Sequence, residues 1–246
     1  MYRPFLIGES RSLMETHEGI YRYFIQPQLD MVNQSLIGYE LLMKQFTPAG
    51  WRPPMSFAAV PAEIIATVLV ATTRKLALKI GSVSVNLNRT QMLNPQINEA
   101  LIQAQSYLRP VRLNVELTEE ITDKDITIAQ LMPMIKQYDE RGMEISLDDV
   151  GTGQNQLSDV EPLLPYAREM KFALQNFDVG LDDPGLVKQL VYWRDIAAAH
   201  NLRFIVEGTE TDADDAFLNT LHIDFRQGYY YGKPHLLKIH PDDPDQ

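Results

Sequence analysis

Residues 111–117 read VRLNVEL, and their alternation decides the fold class. Apolar residues at positions 111, 113 and 115 alternate with Arg112, Asn114 and Glu116, which is the period-two pattern of a strand with two chemically different faces. Because the apolar face has to pack against helices, the polar face is expected to point into the interior of a closed barrel. The strand therefore predicts a barrel whose interior is partly polar and carries Glu116 at its carboxyl-terminal mouth.

Two other stretches show the same alternation of apolar and polar residues, which we call parity. In SVSVNL (82–87) the polar face ends at Asn86, and in MEISLD (143–148) it ends at Asp148. Three strands in the same phase place three oxygen-bearing side chains at one end of the barrel.

A fourth stretch, LRFIVEG (202–208), follows the pattern more weakly, with Glu207 in phase with Arg203. Parity also places Arg112 and Arg203 on the same inner face as Glu144. We expect the two arginines to be buried counter-ions of that carboxylate.

Eight strand-like runs alternate with helical segments along the chain, which is the signature of a parallel sheet with crossover helices. The runs are 21–27, 36–42, 82–87, 111–117, 143–148, 168–172, 202–208 and 223–229. Only LDMVNQSL joins the first two runs, too short for a helical crossover, so they should form an antiparallel hairpin. The expected fold is α/β, a modified (β/α)8 TIM-like barrel with one antiparallel strand.

Helix start and stop signals lie between these runs. We expect helices from Pro61 to Ile80, from a cap at Asp123 or Asp125 to the residue before Gly142, from Asp183 to His200, and from Thr211 to Leu221.

Length and composition limit the alternatives. The 246 residues suit one barrel, which we divide into an N-terminal extension (1–20), the barrel (21–238) and an acidic C-terminal tail (239–246) expected to be frayed. The net charge of −11 argues against duplex nucleic acid or anionic lipid as the main partner. The lack of cysteine excludes thiolate metal sites and cysteine nucleophiles. With no signal peptide and no membrane span in the sequence, a cytoplasmic protein is expected.

Side chains suited to binding metal follow the predicted strand ends. They are Gln26, Glu40, Asn86, Glu116, Asp148 with Asp149, Lys171, Glu207 and Gln227. Carboxylates that converge at a barrel mouth repel one another unless cations neutralise them, so the set predicts a divalent-metal site. Taken singly, each of these residues is more often a solvated loop residue, and DDVGTG (148–153) also suits a glycine-rich turn.

The motifs in this order resemble those of the EAL-domain cyclic di-GMP phosphodiesterases, from about Tyr21 to Pro234. They are Gln26-Pro27 for QP, 38–42 (GYELL) for GYEAL, 85–87 for VNL, 116–119 for ELTE, 148–153 (DDVGTG) for DDFGTG, 207–210 (EGTE) for EGVE, 227–229 for QGY, and Lys233-Pro234 for KP.

The resemblance implies hydrolysis of one phosphodiester of cyclic di-GMP to linear pGpG at a two-metal site for Mg²⁺ or Mn²⁺. Carried over by position, the first ion would be held by Glu40, Asn86, Glu116 and Asp148, and the second by Asp148 with Asp149. Glu207 would be a metal ligand or general base, Lys171 would orient the metal-bound water, and Glu119 would brace the loop 149–153. The substrate would contact Gln26, Leu42, Lys44, Gln227 and Pro234. The resemblance also implies a homodimer, and regulation by a protein partner in trans stays open.

Four positions depart from the family pattern. Leu41 replaces alanine, Lys44 stands for a phosphate-clamping arginine, Val150 replaces the loop phenylalanine, and Ala173 lacks the aspartate that follows the strand lysine by two residues. A lysine does not reproduce the two-pronged hydrogen bonding of a guanidinium. One alternative is therefore a catalytically weak or silent module that binds cyclic di-GMP or a protein. Another is a metal-dependent barrel enzyme that acts on a different phosphate or carboxylate.

Overall fold

The structure is a computed structural model that describes residues 15–16, 19–77, 79–118, 125–153 and 155–246. Its strands are β1 (Glu15–Thr16), β2 (Gly19–Asp30), β3 (Ser35–Thr47), β4 (Gly50–Arg52), β5 (Ser82–Asn88), β6 (Arg112–Thr118), β7 (Glu144–Leu147), β8 (Ala167–Ala173), β9 (Arg203–Glu207), β10 (Phe225–Arg226) and β11 (His235–Leu236). Its α-helices are α1 (Ala62–Leu76), α2 (Arg89–Leu93), α3 (Pro95–Leu108), α4 (Ile128–Glu140), α5 (Leu157–Val160), α6 (Pro184–Ala199) and α7 (Asp212–Thr220).

Eight of these strands close into a mixed barrel, as the sequence predicts. Strand β2 is antiparallel to both of its barrel neighbours, β3 and β10. The remaining neighbours are parallel, in the order β3, β5, β6, β7, β8, β9 and β10. Each of the eight predicted runs overlaps a barrel strand, although the last run, 223–229, contains only the two-residue strand β10. The antiparallel hairpin of β2 and β3 is confirmed, and the one reversed strand of the barrel is β2.

Two helices begin or end at other residues than the sequence predicts, and a local hydrogen bond marks each of these ends. Helix α1 ends at Leu76, because the Lys79 N–H donates to the Leu76 carbonyl in a closing turn. Helix α4 begins after Thr127, whose N–H donates to Gln130 Oε1 at 2.8 Å. Asp125 is therefore not its cap, and the other candidate, Asp123, lies outside the described residues.

The outward faces of the strands form the core with the helices, as parity predicts. Val83, Leu113 and Ile145 are almost fully buried and belong to the same apolar cluster as Leu69 of α1 and Leu101 of α3. In the part of the chain that is described, no helix has both the length and the apolar character needed to cross a membrane.

The barrel interior holds an ion-pair network at the amino-terminal ends of the strands, opposite the carboxylate mouth. Glu144 accepts hydrogen bonds from Arg112 Nη1 at 2.7 Å and from Arg203 Nη2 at 3.1 Å, so the predicted pairing is confirmed. Burial of the two arginines was a wrong expectation for Arg112, whose side chain is 64% exposed, and Arg203 is only partly buried. Parity reasoning also missed Glu169, which is buried and accepts from Arg203 and Asn114.

The C-terminal segment 239–246 is packed, which corrects the expectation of a frayed tail. Asp243 is buried and accepts hydrogen bonds from Arg22 Nε at 2.9 Å and Arg22 Nη2 at 2.5 Å. The Trp51 indole N–H donates to the Asp245 carbonyl at 3.2 Å, and β11 adds to β2 just before the segment. A buried arginine thus gives an acidic, proline-containing sequence a fixed place.

Candidate metal centre

The site is organised around the buried ammonium group of Lys171 in β8. Its Nζ lies 2.9 Å from Glu116 Oε2, 3.4 Å from Glu40 Oε2 and 3.8 Å from Asp148 Oδ1, and it is also in contact with Glu207 Oε1. These carboxylates come from β3, β6, the end of β7 and β9, so four strand ends converge on one cation.

Two amides fix the Glu40 carboxylate. Asn86 Nδ2 donates to Glu40 Oε1 at 2.7 Å, and Gln227 Nε2 donates to Glu40 Oε2 at 2.5 Å. Gln227 Nε2 also approaches Gln26 Oε1 at 3.3 Å. Strand pairing explains this arrangement, because Gln26 lies directly opposite Glu40 in the β2–β3 ladder.

A second group of carboxylates lies beside the first. Asp148, Asp149 and Glu207 each offer an oxygen, and these oxygens all lie within 4.8 Å of one another. Asp149 adopts a left-handed backbone conformation with φ of 50°, which aspartate tolerates better than most residues do. Asn155 Nδ2 donates to the Asp148 carbonyl at 2.7 Å and so holds the start of this loop.

Burial and charge crowding set the ionisation of the cluster. Burial, followed by the neighbouring charge of Glu40, raises the pKa of Glu116 well above its ordinary value. Burial likewise raises the pKa of Asp148 well above its usual range and that of Glu207 to about 7. Burial opposes charge on Glu40 too, but Lys171 and hydrogen bonds from both amides leave its pKa lowered.

Lys171 itself remains protonated. Burial works against its charge, but the surrounding carboxylates outweigh it and raise the pKa of the ammonium well above its usual value. One ammonium balances about one of the four carboxylates that it contacts, so the cluster has an unmet demand for positive charge.

The donor set fits a divalent cation. Glu116 Oε1 and Asp148 Oδ1 are buried and accept no hydrogen bond from any described residue, a costly state for a carboxylate oxygen. Carboxylate and amide oxygens are the ligands that Mg²⁺ and Mn²⁺ prefer. The site therefore has buried acceptors suited to such an ion.

The predicted substrate residues of β3 lie further along the strand. Leu42 and Lys44 line a cavity of about 400 Å³ together with Asn86, the residue whose amide donates to Glu40. Lys44 Nζ lies 4.0 Å from the centre of the Phe24 ring, a cation–π contact. Burial, then repulsion from Arg52, lowers the pKa of Lys44.

The remaining predicted residues are placed differently. The Pro234 carbonyl accepts a hydrogen bond from Gln246 Nε2 at 3.4 Å, which associates it with the C-terminal segment. Gln26 Nε2 donates to the Gly232 carbonyl at 3.3 Å, in the loop that leads to Pro234. Glu119 lies outside the described residues.

Two of the departures from the family pattern have a clear structural setting. Ala173 is buried and pairs with Glu207 across the β8–β9 ladder, at the edge of the cluster. Val150 is fully buried, and its N–H donates to the Lys171 carbonyl at 3.1 Å. Trp193 of α6 packs next to this loop: a Cβ added at Gly151 would lie 2.7 Å from Trp193 Nε1.

One contact of the cluster was not predicted. Asn176 Nδ2 donates to Asp149 Oδ1 at 2.7 Å from the short 3-10 turn Leu174–Asn176. No periodicity or motif marks Asn176, since it belongs to a turn and its partner lies 27 residues earlier.

These features define the class of the protein. It is a mixed eight-stranded barrel with a candidate metal centre, the carboxylate cluster, at one mouth. The sequence matches the EAL domain family over residues 11–234. The chain belongs to the EAL domain family.

Curated relatives agree with this assignment. The bifunctional diguanylate cyclase/cyclic di-GMP phosphodiesterase MucR of Pseudomonas aeruginosa is 26% identical over 247 residues, which cover 93% of this chain and 35% of the relative. The cyclic di-GMP phosphodiesterase PdeR of Escherichia coli K12 is 28% identical over 240 residues, which cover 91% of this chain and 35% of the relative. The chain thus spans about a third of the length of these curated relatives.

Solved structures share the fold. The PaMucR phosphodiesterase in complex with c-di-GMP superposes with a TM-score of 0.72 at 25% identity, covering 87% of this chain and 91% of that one. The c-di-GMP-bound EAL domain of FimX from Pseudomonas aeruginosa gives a TM-score of 0.67 at 19% identity, covering 87% and 90%. The second likeness concerns the fold alone.

Proposed function

We propose that the chain is a divalent-metal-dependent phosphodiesterase that hydrolyses cyclic di-GMP to linear pGpG. The observation that carries the proposal is the convergence of Glu40, Glu116, Asp148 and Glu207 on Lys171, with buried carboxylate oxygens that accept no hydrogen bond from the described residues. The relative PdeR, a cyclic di-GMP phosphodiesterase, supports the choice of substrate.

The residues of the site divide between two ions, Mg²⁺ or Mn²⁺. Glu40, Asn86, Glu116 and Asp148 would hold the first, and Asp148 with Asp149 would hold the second. When bound, the ions would lower the pKa of the attacking water and neutralise the charge that develops on the phosphoryl group.

The chain's own residues would then accept the proton of the attacking water and orient that water. Glu207 would accept the proton of the attacking water at a carboxylate oxygen, as a base next to Asp148 and Asp149. Lys171 would orient that water by donating a hydrogen bond from Nζ. As the water oxygen bonds to phosphorus, the bond from phosphorus to O3′ breaks. O3′ takes up a proton from solvent and Glu207 returns the water's proton to solvent, which leaves linear pGpG.

The substrate residues would lie along β2, β3 and the chain after β10. Leu42 and Lys44 border the cavity beside Asn86, and Lys44 would meet a substrate phosphate as a point charge. Gln26, Gln227 and Pro234 would bound the opposite side. Bound cations would supply the positive field that a chain of net charge −11 otherwise lacks.

The test is to incubate the purified protein with cyclic di-GMP and Mg²⁺ or Mn²⁺ and to separate the products by chromatography. We expect pGpG to form, to be lost with chelator, and to be lost in Glu40→Ala. Glu63→Ala, an exposed change on α1, is the matched control and should keep full turnover. Turnover that survives in Glu40→Ala would place the activity elsewhere.

A second candidate function is a weak or silent cyclic di-GMP receptor. Two observations favour it: Ala173 contributes no carboxylate beside Glu207, and Lys44 rests on the Phe24 ring. Calorimetric binding of cyclic di-GMP without pGpG formation would select this function over the enzyme.

We further propose that the protein acts in the cytoplasm as a homodimer and that expression, dimerisation or a protein partner in trans regulates it. Light scattering with and without cyclic di-GMP tests the dimer.

A further inference from the structure

The turn that follows β8 contacts both sides of the carboxylate cluster. Residues Leu174–Asn176 form a single 3-10 turn directly after Ala173. At one end Asn176 Nδ2 donates to Asp149 Oδ1 at 2.7 Å. Next to it Gln175 packs against Gly208, where an added Cβ would lie 3.1 Å from the Gln175 nitrogen, and Gly208 directly follows Glu207.

Asp149 depends on such a neighbour more than the other carboxylates do. It is only half-buried and has a left-handed backbone, whereas Glu116 and Asp148 are buried and face Lys171. Its backbone is restrained, because Thr152 donates to the Asp149 carbonyl from both its hydroxyl at 2.7 Å and its N–H at 3.2 Å. The contact from Asn176 restrains the carboxylate itself.

We propose that Asn176 is a positioning residue of the metal centre, which holds the Asp149 carboxylate beside Asp148 and Glu207. The inference rests on the proposed function, because it concerns the second ion, which Asp148 and Asp149 would hold beside Glu207. An amide that donates to a ligating carboxylate fixes its orientation without adding negative charge. This suits a cluster in which Ala173, opposite Glu207, contributes no ligand.

The test measures Mn²⁺ binding rather than turnover, by titration calorimetry and by electron paramagnetic resonance of the ion. Loss of an outer hydrogen-bond partner typically costs about 10–100-fold in metal affinity, so Asn176→Ala should weaken Mn²⁺ binding at least about tenfold. Gln103→Ala is the matched control. It removes another amide-to-carboxylate hydrogen bond, to Glu99 on α3, and should leave Mn²⁺ binding unchanged.

A double-mutant cycle separates positioning from a general structural role. In an Asp149→Asn background, Asn176→Ala should change Mn²⁺ affinity less than about twofold, because its target carboxylate is gone. The melting temperature in chelator should match the wild type for Asn176→Ala, since that contact is exposed.

The outcomes separate the two proposals. Equal Mn²⁺ affinity in wild type and Asn176→Ala, or the same loss with and without Asp149, overturns the positioning role and leaves the proposed function standing. A wild-type protein that binds no Mn²⁺ overturns both. A loss confined to the background that retains Asp149 supports the role of Asn176.

Discussion

In the part of the chain that the structure describes, Lys171 is the one cation in contact with the carboxylates of four strands. Its surroundings explain why it is needed. Its side chain is 1% exposed, so its charge and those of its partners are separated from water. Removing one member of a buried ion pair leaves an uncompensated charge, which is more damaging than the absence of the whole pair. The cation at the centre of the candidate site therefore also stabilises the barrel.

Replacement of this cation should be costly. We expect Lys171→Met to lower the free energy of unfolding by about 3–5 kcal/mol in chelator, measured by urea denaturation. The exposed Lys188 of α6 gives the control Lys188→Met, which should change little. An unchanged midpoint for Lys171→Met would contradict the stabilising role.

A carboxylate can be added to the cluster at Ala173, because its side chain is buried opposite Glu207. Ala173→Asp should destabilise the metal-free protein by about 1–3 kcal/mol, the cost of a buried acceptor without a partner. The same change should raise Mn²⁺ affinity, because it adds a carboxylate beside Glu207. Melting curves with and without Mn²⁺ measure both effects. In Ala173→Asn the affinity gain should be absent, and an equal gain there would refute the charge argument.

At the scale of elements, the C-terminal segment 239–246 shows how a few hydrogen bonds fix a terminal stretch of chain on the barrel. Asp243 accepts from Arg22 and also from the backbone N–H groups of Ile239 at 2.8 Å and His240 at 3.0 Å. Burial alone would raise the pKa of Asp243, but hydrogen bonds from Arg22 and His240 leave it lowered. The segment is therefore joined to β2 by a charged contact.

Acid should release this contact. A carboxyl group whose pKa is lowered by folding stabilises the protein above its unfolded pKa of about 3.9, and this contribution is lost as the pH falls through the folded value. We expect Asp243→Asn to be less stable than the wild type by about 3–5 kcal/mol at pH 7. The difference between the two proteins should stay constant down to about pH 5 and shrink below pH 4, measured by urea denaturation at each pH. A difference that does not depend on pH would exclude Asp243 as its source.

The same elements show what the sequence could and could not predict. Parity along 82–87, 111–117 and 143–148 identified the inward side chains, because a barrel strand has only two faces. The packing of the tail was mispredicted, since proline and aspartate content carries no information about Arg22, 221 residues away. Asn176 was missed for the same reason, because a turn residue has no periodicity from which its partner follows.

At the scale of the whole molecule, the barrel brings acidic side chains together from strands far apart in sequence. Folding therefore concentrates negative charge at one mouth, and anything that neutralises this charge stabilises the folded state. Binding of an ion to the folded protein alone adds RT ln(1 + [L]/Kd) to stability.

Metal addition and removal should accordingly move the melting temperature. At a Mn²⁺ concentration about 100 times its Kd, stabilisation of about 2.7 kcal/mol corresponds to roughly 5–10 °C in a chain of this size. Chelator should reverse the shift, and Glu116→Gln, which removes a buried carboxyl group beside Lys171 and with it a ligand of the ion, should reduce it. A melting temperature that does not respond to Mn²⁺ would contradict ion binding at the cluster.

The reversed strand β2 has a consequence for the order of events on the ribosome. It is the first barrel strand to be made, yet its partners β10 and β11 are among the last, with Leu29 paired to Arg226 and Ile25 to His235. At a synthesis rate of about 5–20 residues per second, the nearly 200 intervening residues take roughly 10–40 s to translate. During that time β2 pairs with β3 on one side, and on the other side only its start is covered, by the short strand β1 at Gly19 and Ile20. The edge from Phe24 to Asp30, which later pairs with β10 and β11, stays open to other chains. The barrel closes only after the last strands have left the exit tunnel.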